Sequence, residues 1–107
     1  MFMKWKGITH EEDTWEKTNG TSLQGYTQTM DREDMKALFG VNSYPDCDGK
    51  VSTEWVIEFD DGLVATLYDY RAGIEEVREG YQWHIGGKES VVVGRVRDVI
   101  RKYKALY

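Results

Sequence analysis

The stretch Thr53-Glu-Trp-Val-Ile-Glu-Phe-Asp-Asp-Gly-Leu-Val-Ala-Thr-Leu-Tyr-Asp-Tyr70 alternates along two segments and breaks once, at Asp61-Gly62. It predicts a β-hairpin. Asp-Gly between alternating segments is a strong hairpin signal, because a type I′ turn needs positive φ at both central residues and glycine has no Cβ to oppose it. A two-residue loop at Asp61-Gly62 sets Asp60 against Leu63, Phe59 against Val64, Ile57 against Thr66 and Trp55 against Tyr68. One face of the hairpin is then expected to be aromatic and β-branched. The other carries Val56 opposite Leu67 and Glu58 opposite Ala65, so that both faces are partly covered.

Downstream, Tyr81, Trp83 and Ile85 alternate with Gln82 and His84, the pattern of a further strand, closed by a turn at Gly86-Gly87. From about Glu89 to Lys104, Val92, Val96, Val99, Ile100 and Tyr103 recur at helical spacing, with Arg97, Arg101 and Lys104 on a second stripe. Val91-Val92-Val93-Gly94 are poor helix formers, so packing on a sheet must hold this helix; a strand through Val96 is the alternative. Upstream, Thr21–Gln28 reads as a strand in which Gly25 marks a bulge or a place where another backbone or a ligand comes close. Asp31 is a cap for a short helix with Glu33 and Asp34 in its first turn and Met35, Leu38 and Phe39 on its apolar stripe, ended by Gly40. Met1–Lys6 alternates like a short edge strand, and Lys17-Thr-Asn-Gly20 is a turn. Residues 41–52, with Pro45, are a loop whose Asp46, Asp48 and Gly49, followed by Glu54, match only part of a calcium site, and residues 71–80 are a connection with a helical turn. The expected fold class is α+β: an antiparallel sheet of three to five strands around the central hairpin, packed by the C-terminal helix, with the short helix at an edge.

A chain of 107 residues is one domain, with residues 1–20 as a peripheral extension. Its 40% hydrophobic content, seven Tyr and four Trp exclude a disordered chain, and no apolar run approaches the roughly 18 residues of a membrane span. The start has no signal-peptide pattern, and the single cysteine, Cys47, precludes an internal disulfide; a reducing, cytoplasmic compartment is expected. The net charge of −5 is uneven: residues 1–61 hold 13 acids and 6 bases, residues 62–107 hold 6 acids and 8 bases. That balance argues against duplex nucleic acid as a partner.

Taken together, Thr21-Ser-Leu-Gln-Gly-Tyr26, the helix end at Phe39-Gly40, Glu54-Trp55, Glu58-Phe-Asp-Asp-Gly-Leu-Val-Ala-Thr-Leu-Tyr68 and Trp83-His-Ile-Gly-Gly87 resemble a family of small phage and prophage proteins that carry no assigned activity. Two departures are Lys88-Glu89 in place of the usual helix cap and a shorter, more acidic loop after the hairpin. The resemblance implies viral origin and the cytoplasm of a host cell, and it transfers no catalytic residue.

Two binding surfaces are expected. The first is acidic: Glu11, Glu12, Asp13, Glu75, Glu76 and Glu79, suited to a small inhibitor that covers a basic surface of a host protein in defence or gene expression. The second suits a small nucleotide signal. Trp55, Thr66 and Tyr68 share a predicted hairpin face, with Tyr26, Trp83 and His84 nearby, Gly86 and Gly87 offering backbone N–H groups, and Arg97 and Arg101 offering charge. Each of these residues also has a structural reading, as aromatic core or as a glycine turn. Hydrolysis by a carboxylate pair from Glu54, Glu58, Asp60 and Asp61 is the weakest alternative, since neighbours on a hairpin ordinarily form a solvated edge. No spacing specifies a metal or a cofactor. Apolar ends at Met1-Phe2-Met3 and at Tyr103, Leu106 and Tyr107 point to a homodimer.

Overall fold

The computed structural model describes residues 5–7, 20–40, 53–69 and 80–106. Its elements are β1 (Trp5–Gly7), β2 (Ser22–Met30), α1 (Arg32–Phe39), β3 (Glu54–Phe59), β4 (Val64–Tyr68), β5 (Tyr81–Gly87) and α2 (Val91–Leu106). The strands form one sheet in the order β1-β3-β4-β5-β2, antiparallel at every pairing. This is the expected α+β architecture. Part of the expected peripheral extension is built in, because Trp5–Gly7 is the edge strand beside β3.

The hairpin exists, but its loop is one residue longer than Asp-Gly alone predicts. Gly62 N–H donates to the Phe59 carbonyl at 2.9 Å and Phe59 N–H donates to the Leu63 carbonyl at 2.8 Å, enclosing Asp60, Asp61 and Gly62. This is the three-residue hairpin in which a glycine at positive φ forms a bulge, and Gly62 has φ 90°. The extra residue moves the register by one: Trp55 faces Leu67, Ile57 faces Ala65, and Val56 faces Thr66. A one-residue slip exchanges faces. Trp55, Ile57 and Phe59 therefore share the core face with Ala65 and Leu67, while Thr66 and Tyr68 lie on the other face with Glu54, Val56 and Glu58. The predicted grouping of Trp55 with Thr66 and Tyr68 is corrected accordingly. Positive φ also occurs at Gly20 (84°), in the turn before β2.

On the core face, Trp83 and Ile85 of β5 continue the layer, and Val92, Val96, Val99 and Ile100 of α2 close it from above, all buried. The β-branched start of α2 is helical because two glycines of the sheet receive it. A Cβ on Gly87 would lie 2.7 Å from Val92 Cγ2, and one on Gly25 would lie 2.9 Å from Val93 Cγ2. Gly25 marks the bulge, since the β2–β5 register shifts between Leu23 and Gly25, and what comes close to it is a side chain, Val93, rather than a backbone or a ligand. Gly86 and Gly87 are not a turn: they are the buried end of β5, paired on both sides with β4 and β2.

Helix α1 caps the open end of the core with buried Met35 and Phe39. Asp31 sits at its N-cap with extended backbone but makes no side-chain capping bond, and Gly40 ends it at φ 87° with its N–H on the Lys36 carbonyl. Both ends are held by buried indoles: Trp83 Nε1–H donates to the Met30 carbonyl at 2.9 Å, and Trp55 Nε1–H to the Gly40 carbonyl at 2.9 Å.

A second shift in β2, between Tyr26 and Thr29, interrupts the ladder. There the buried Thr27 hydroxyl accepts the Trp83 backbone N–H at 2.9 Å and donates to the Gln28 carbonyl at 2.7 Å. Thr27→Val preserves shape and leaves a buried N–H unpaired, which is expected to cost about 1–3 kcal/mol, read by denaturant unfolding. Gly94 is the opposite case. It is exposed within α2 and a Cβ there would meet nothing within 4 Å. Gly94→Ala is expected to stabilise by about 0.5–1 kcal/mol in the same assay.

Candidate functional site

The face of the sheet away from α2 carries a row of rings set by the pairing. Tyr68 of β4 lies opposite His84 of β5, and His84 lies opposite Tyr26 of β2. The His84 ring is stacked on Tyr68 (centroids 5.2 Å apart, 25° between planes) and tilted against Tyr26 (5.0 Å, 60°). At the strand start, the Tyr81 hydroxyl is 3.4 Å from His84 Nδ1. Gly86 makes room for the row, since a Cβ there would collide with Thr66 Oγ1 and meet Tyr68 Cε1 at 3.4 Å. Thr66 itself is buried beneath it. The outer member, Tyr26, is 45% exposed, and Leu23 on the same face is 47% exposed. Gln82 and Thr29, paired with one another, are exposed further along the same two strands.

Burial pushes the His84 imidazole below its ordinary value, against the opposing pull of the Tyr68 backbone and the Asp69 charge. Burial, then the charge of Glu54, pushes the Tyr68 phenol up. Positive charge enters from the sheet edge. Arg97 Nη1 donates to the Tyr26 carbonyl at 3.1 Å and Lys104 Nζ to the Thr29 carbonyl at 2.9 Å, so two cations of α2 run along the outside of β2. Gln28 Nε2 ties the strand back to the Arg97 carbonyl at 2.9 Å, and its buried Oε1 has no protein partner. Arg101 lies between these cations on the helix, exposed and ion-paired to Asp98, which Lys102 also reaches at 3.4 Å.

Of the expected nucleotide set, the fold brings Tyr26, Thr66, Tyr68, His84 and Gly86 onto one face and Arg97 to its border. Trp55 and Trp83 belong to the core, packed edge to face at 5.2 Å with both N–H groups spent on carbonyls. Gly87 supports α2, and its carbonyl accepts from Gln24 at 2.9 Å. The backbone of Gly86 and Gly87 is held in two ladders, which corrects the expectation of N–H groups open to a phosphate. Tyr81 and Lys104 were not among the expected site residues. The helical stripe of Arg97, Arg101 and Lys104 was the available signal for Lys104, whereas alternation assigned Tyr81 to the core with Trp83 and concealed where its hydroxyl ends.

Glu54 and Glu58 flank Val56 on the ring face, but Asp61 is engaged elsewhere: Arg95 Nη1 meets its Oδ2 at 2.6 Å and lies over Phe59, locking the hairpin tip to α2. The hydrogen bond from Arg95 holds the Asp61 carboxyl below its ordinary value. The acidic residues Glu11, Glu12, Asp13, Glu75, Glu76 and Glu79 lie outside the described residues, as do the loop of residues 41–52, the connection of residues 71–79 and the chain ends Met1-Phe2-Met3 and Tyr107. Tyr103 packs against the core, whereas Leu106 is exposed. Among the described residues, no group of three or more His, Cys, Asp or Glu side chains is placed to hold a metal, and no helix is long and apolar enough to cross a membrane.

Compared with known proteins, the chain matches no family model, no curated protein and no solved structure.

The His84 environment predicts a pH response. A histidine whose folded value lies below the unfolded one, near 6.5, binds its proton more readily after unfolding, so stability falls as pH drops through about 6.5 toward the folded value. Melting temperatures measured between pH 7.5 and 5 should decline across that window, and His84→Phe, which keeps the row of rings, should flatten the decline. An equal decline in the variant would place the proton elsewhere.

Proposed function

We propose that the chain is a small binding protein of phage type whose ligand is a nucleotide, held at the β2 edge with its base on Tyr26 and its phosphate at Arg97. The observation that carries this reading is the position of Tyr26. Its half-exposed ring packs on His84, which in turn stacks on Tyr68, while its own carbonyl holds the Arg97 guanidinium. A braced tyrosine offers a π face at little entropic cost, and stacking on such a ring contributes about 1–3 kcal/mol per base. The guanidinium adds a planar set of donors suited to phosphate oxygens. The resemblance to phage proteins supports a host cell as the place of action and sequestration of a host signal as the effect, with the cytoplasm as the compartment.

A second reading, a blocker of a basic host-protein surface, is favoured by the 13 acids against 6 bases in residues 1–61. Thermal shift of the purified chain against a panel of nucleotides separates the two. A ligand at 100 times its Kd adds about 2.7 kcal/mol of stability, and Tyr26→Ala should weaken binding by roughly 1–3 kcal/mol in a chain that remains folded at the assay temperature. If no nucleotide shifts the transition, and a stoichiometric host protein is bound and then lost on charge reversal at Glu11, Glu12 and Asp13, the nucleotide reading fails and the second stands.

A further inference from the structure

We infer that the ligand is a dinucleotide, with two phosphates separated by a sugar, the first at Arg97 and the second at Arg101 and Lys104. The inference rests on the nucleotide reading above and adds the ligand's class.

It comes from a match of two lengths. Arg97 and Lys104 are seven residues apart on α2, about 10.5 Å along the helix. The carbonyls that they hold belong to Tyr26 and Thr29, three residues apart on β2, about 10 Å along the strand. Helix and strand therefore run side by side, and their two clamps mark the ends of a cationic border about 10 Å long. Arg101 falls inside it, at i+4 from Arg97 and i−3 from Lys104, on the same side of the helix. Among the described residues its guanidinium pairs with Asp98 of its own helix, an exposed contact of the kind that is worth little and is readily exchanged for a phosphate.

A mononucleotide covers one end of this border. The phosphates of a nucleoside 5′-di- or triphosphate are joined directly and stay on one side of the sugar. A dinucleotide separates its phosphates by a sugar, nearer to the helical turn between Arg97 and Arg101. It also brings a second base, which falls over Thr29 and Gln82, where an exposed amide can meet its edge. Longer strands fit poorly. The border is short, and the net charge of −5 repels a polyanion that extends beyond it.

Calorimetric titration of the full chain with adenosine and guanosine monophosphates, the corresponding diphosphates, the linear dinucleotides pApA and pGpG, and a twenty-residue single strand tests this. A dinucleotide should bind at least about tenfold more tightly than its mononucleotide, the weight of one further charge-assisted contact. Its affinity should fall more steeply with salt, by about 0.7 in logarithmic slope for the added phosphate. Arg101→Ala, with an unchanged melting temperature, should bring the dinucleotide-to-mononucleotide ratio close to one. Mononucleotides or diphosphates that bind as tightly as dinucleotides overturn the inference and leave the nucleotide reading intact. So does a ratio untouched by Arg101→Ala, or affinity that keeps rising to the twenty-residue strand. Absence of binding by every probe overturns both.

Discussion

Everything else in the fold depends on two buried indoles in contact. Trp55 and Trp83 come from strands that are not neighbours, β3 and β5, yet their rings meet edge to face across β4 at 5.2 Å. Each removes on the order of 200 Å² of surface from water, equivalent to about 5 kcal/mol as an upper bound. A fully buried indole must also satisfy its N–H. Both do so on carbonyls at the two ends of the same segment, Met30 before α1 and Gly40 after it. An eight-residue helix is too short to persist alone. Its endpoints are therefore fixed by the sheet, and burial of Met35 and Phe39 follows. Trp83 also binds the chain entering that helix, because its backbone N–H is received by Thr27 at the β2 bulge.

That arrangement commits one face of the sheet to packing and leaves the other for a different task. Gly25 and Gly87 allow Val93 and Val92 to sit directly on the strands, and α2 lies along β2 as a consequence. Its basic side chains then reach round the edge, where unpaired backbone carbonyls would otherwise template strand addition. Arg97 and Lys104 serve as edge guards in this sense, and guarding brings their charge beside Tyr26. Gly86, one residue from a glycine required by the core, is required by the opposite face, where Thr66 and Tyr68 crowd it. Adjacent glycines thus answer to separate constraints on the two sides of one strand.

Much of this was legible in the chain because local and global signals agree. The hairpin, both helices, the β5 alternation and even the three-residue edge strand were marked by period, cap or turn residues. What failed was register. Asp61-Gly62 encodes a turn with glycine at positive φ, but Asp60 can join the loop or the strand, and nothing local decides between them. The decision lies in burial. The longer loop sends Trp55, Ile57 and Phe59 to the α2 face, where Ala65 and Leu67 complete an apolar layer, whereas the shorter one would have set Thr66 and Tyr68 into the core. The site inherited that error, since the residues assigned to one face divide between two. The row Tyr68–His84–Tyr26 depends on β4 pairing with β5 and β5 with β2, contacts between segments far apart in sequence that no periodicity reports.

The placement of charge carries the argument one step further. Helix α2 holds five basic residues and one acid in a chain that is acidic overall. Two of those bases are spent on cohesion: Arg95 on Asp61, and Lys102 on Asp98. Arg97 and Lys104 reach the β2 edge, and Arg101, ion-paired to Asp98, lies between them along the helix. Among the described residues, Arg97 and Lys104 bring positive charge to one short stretch of the β2 edge, on a chain whose net charge is −5. On the neighbouring face, burial pushes the His84 imidazole below its ordinary value and the Tyr68 phenol above its own, which biases both toward the neutral form. The acidity of the whole chain and the basic side chains of one helix are thus compatible, because Arg97 and Lys104 are gathered at a single strand edge.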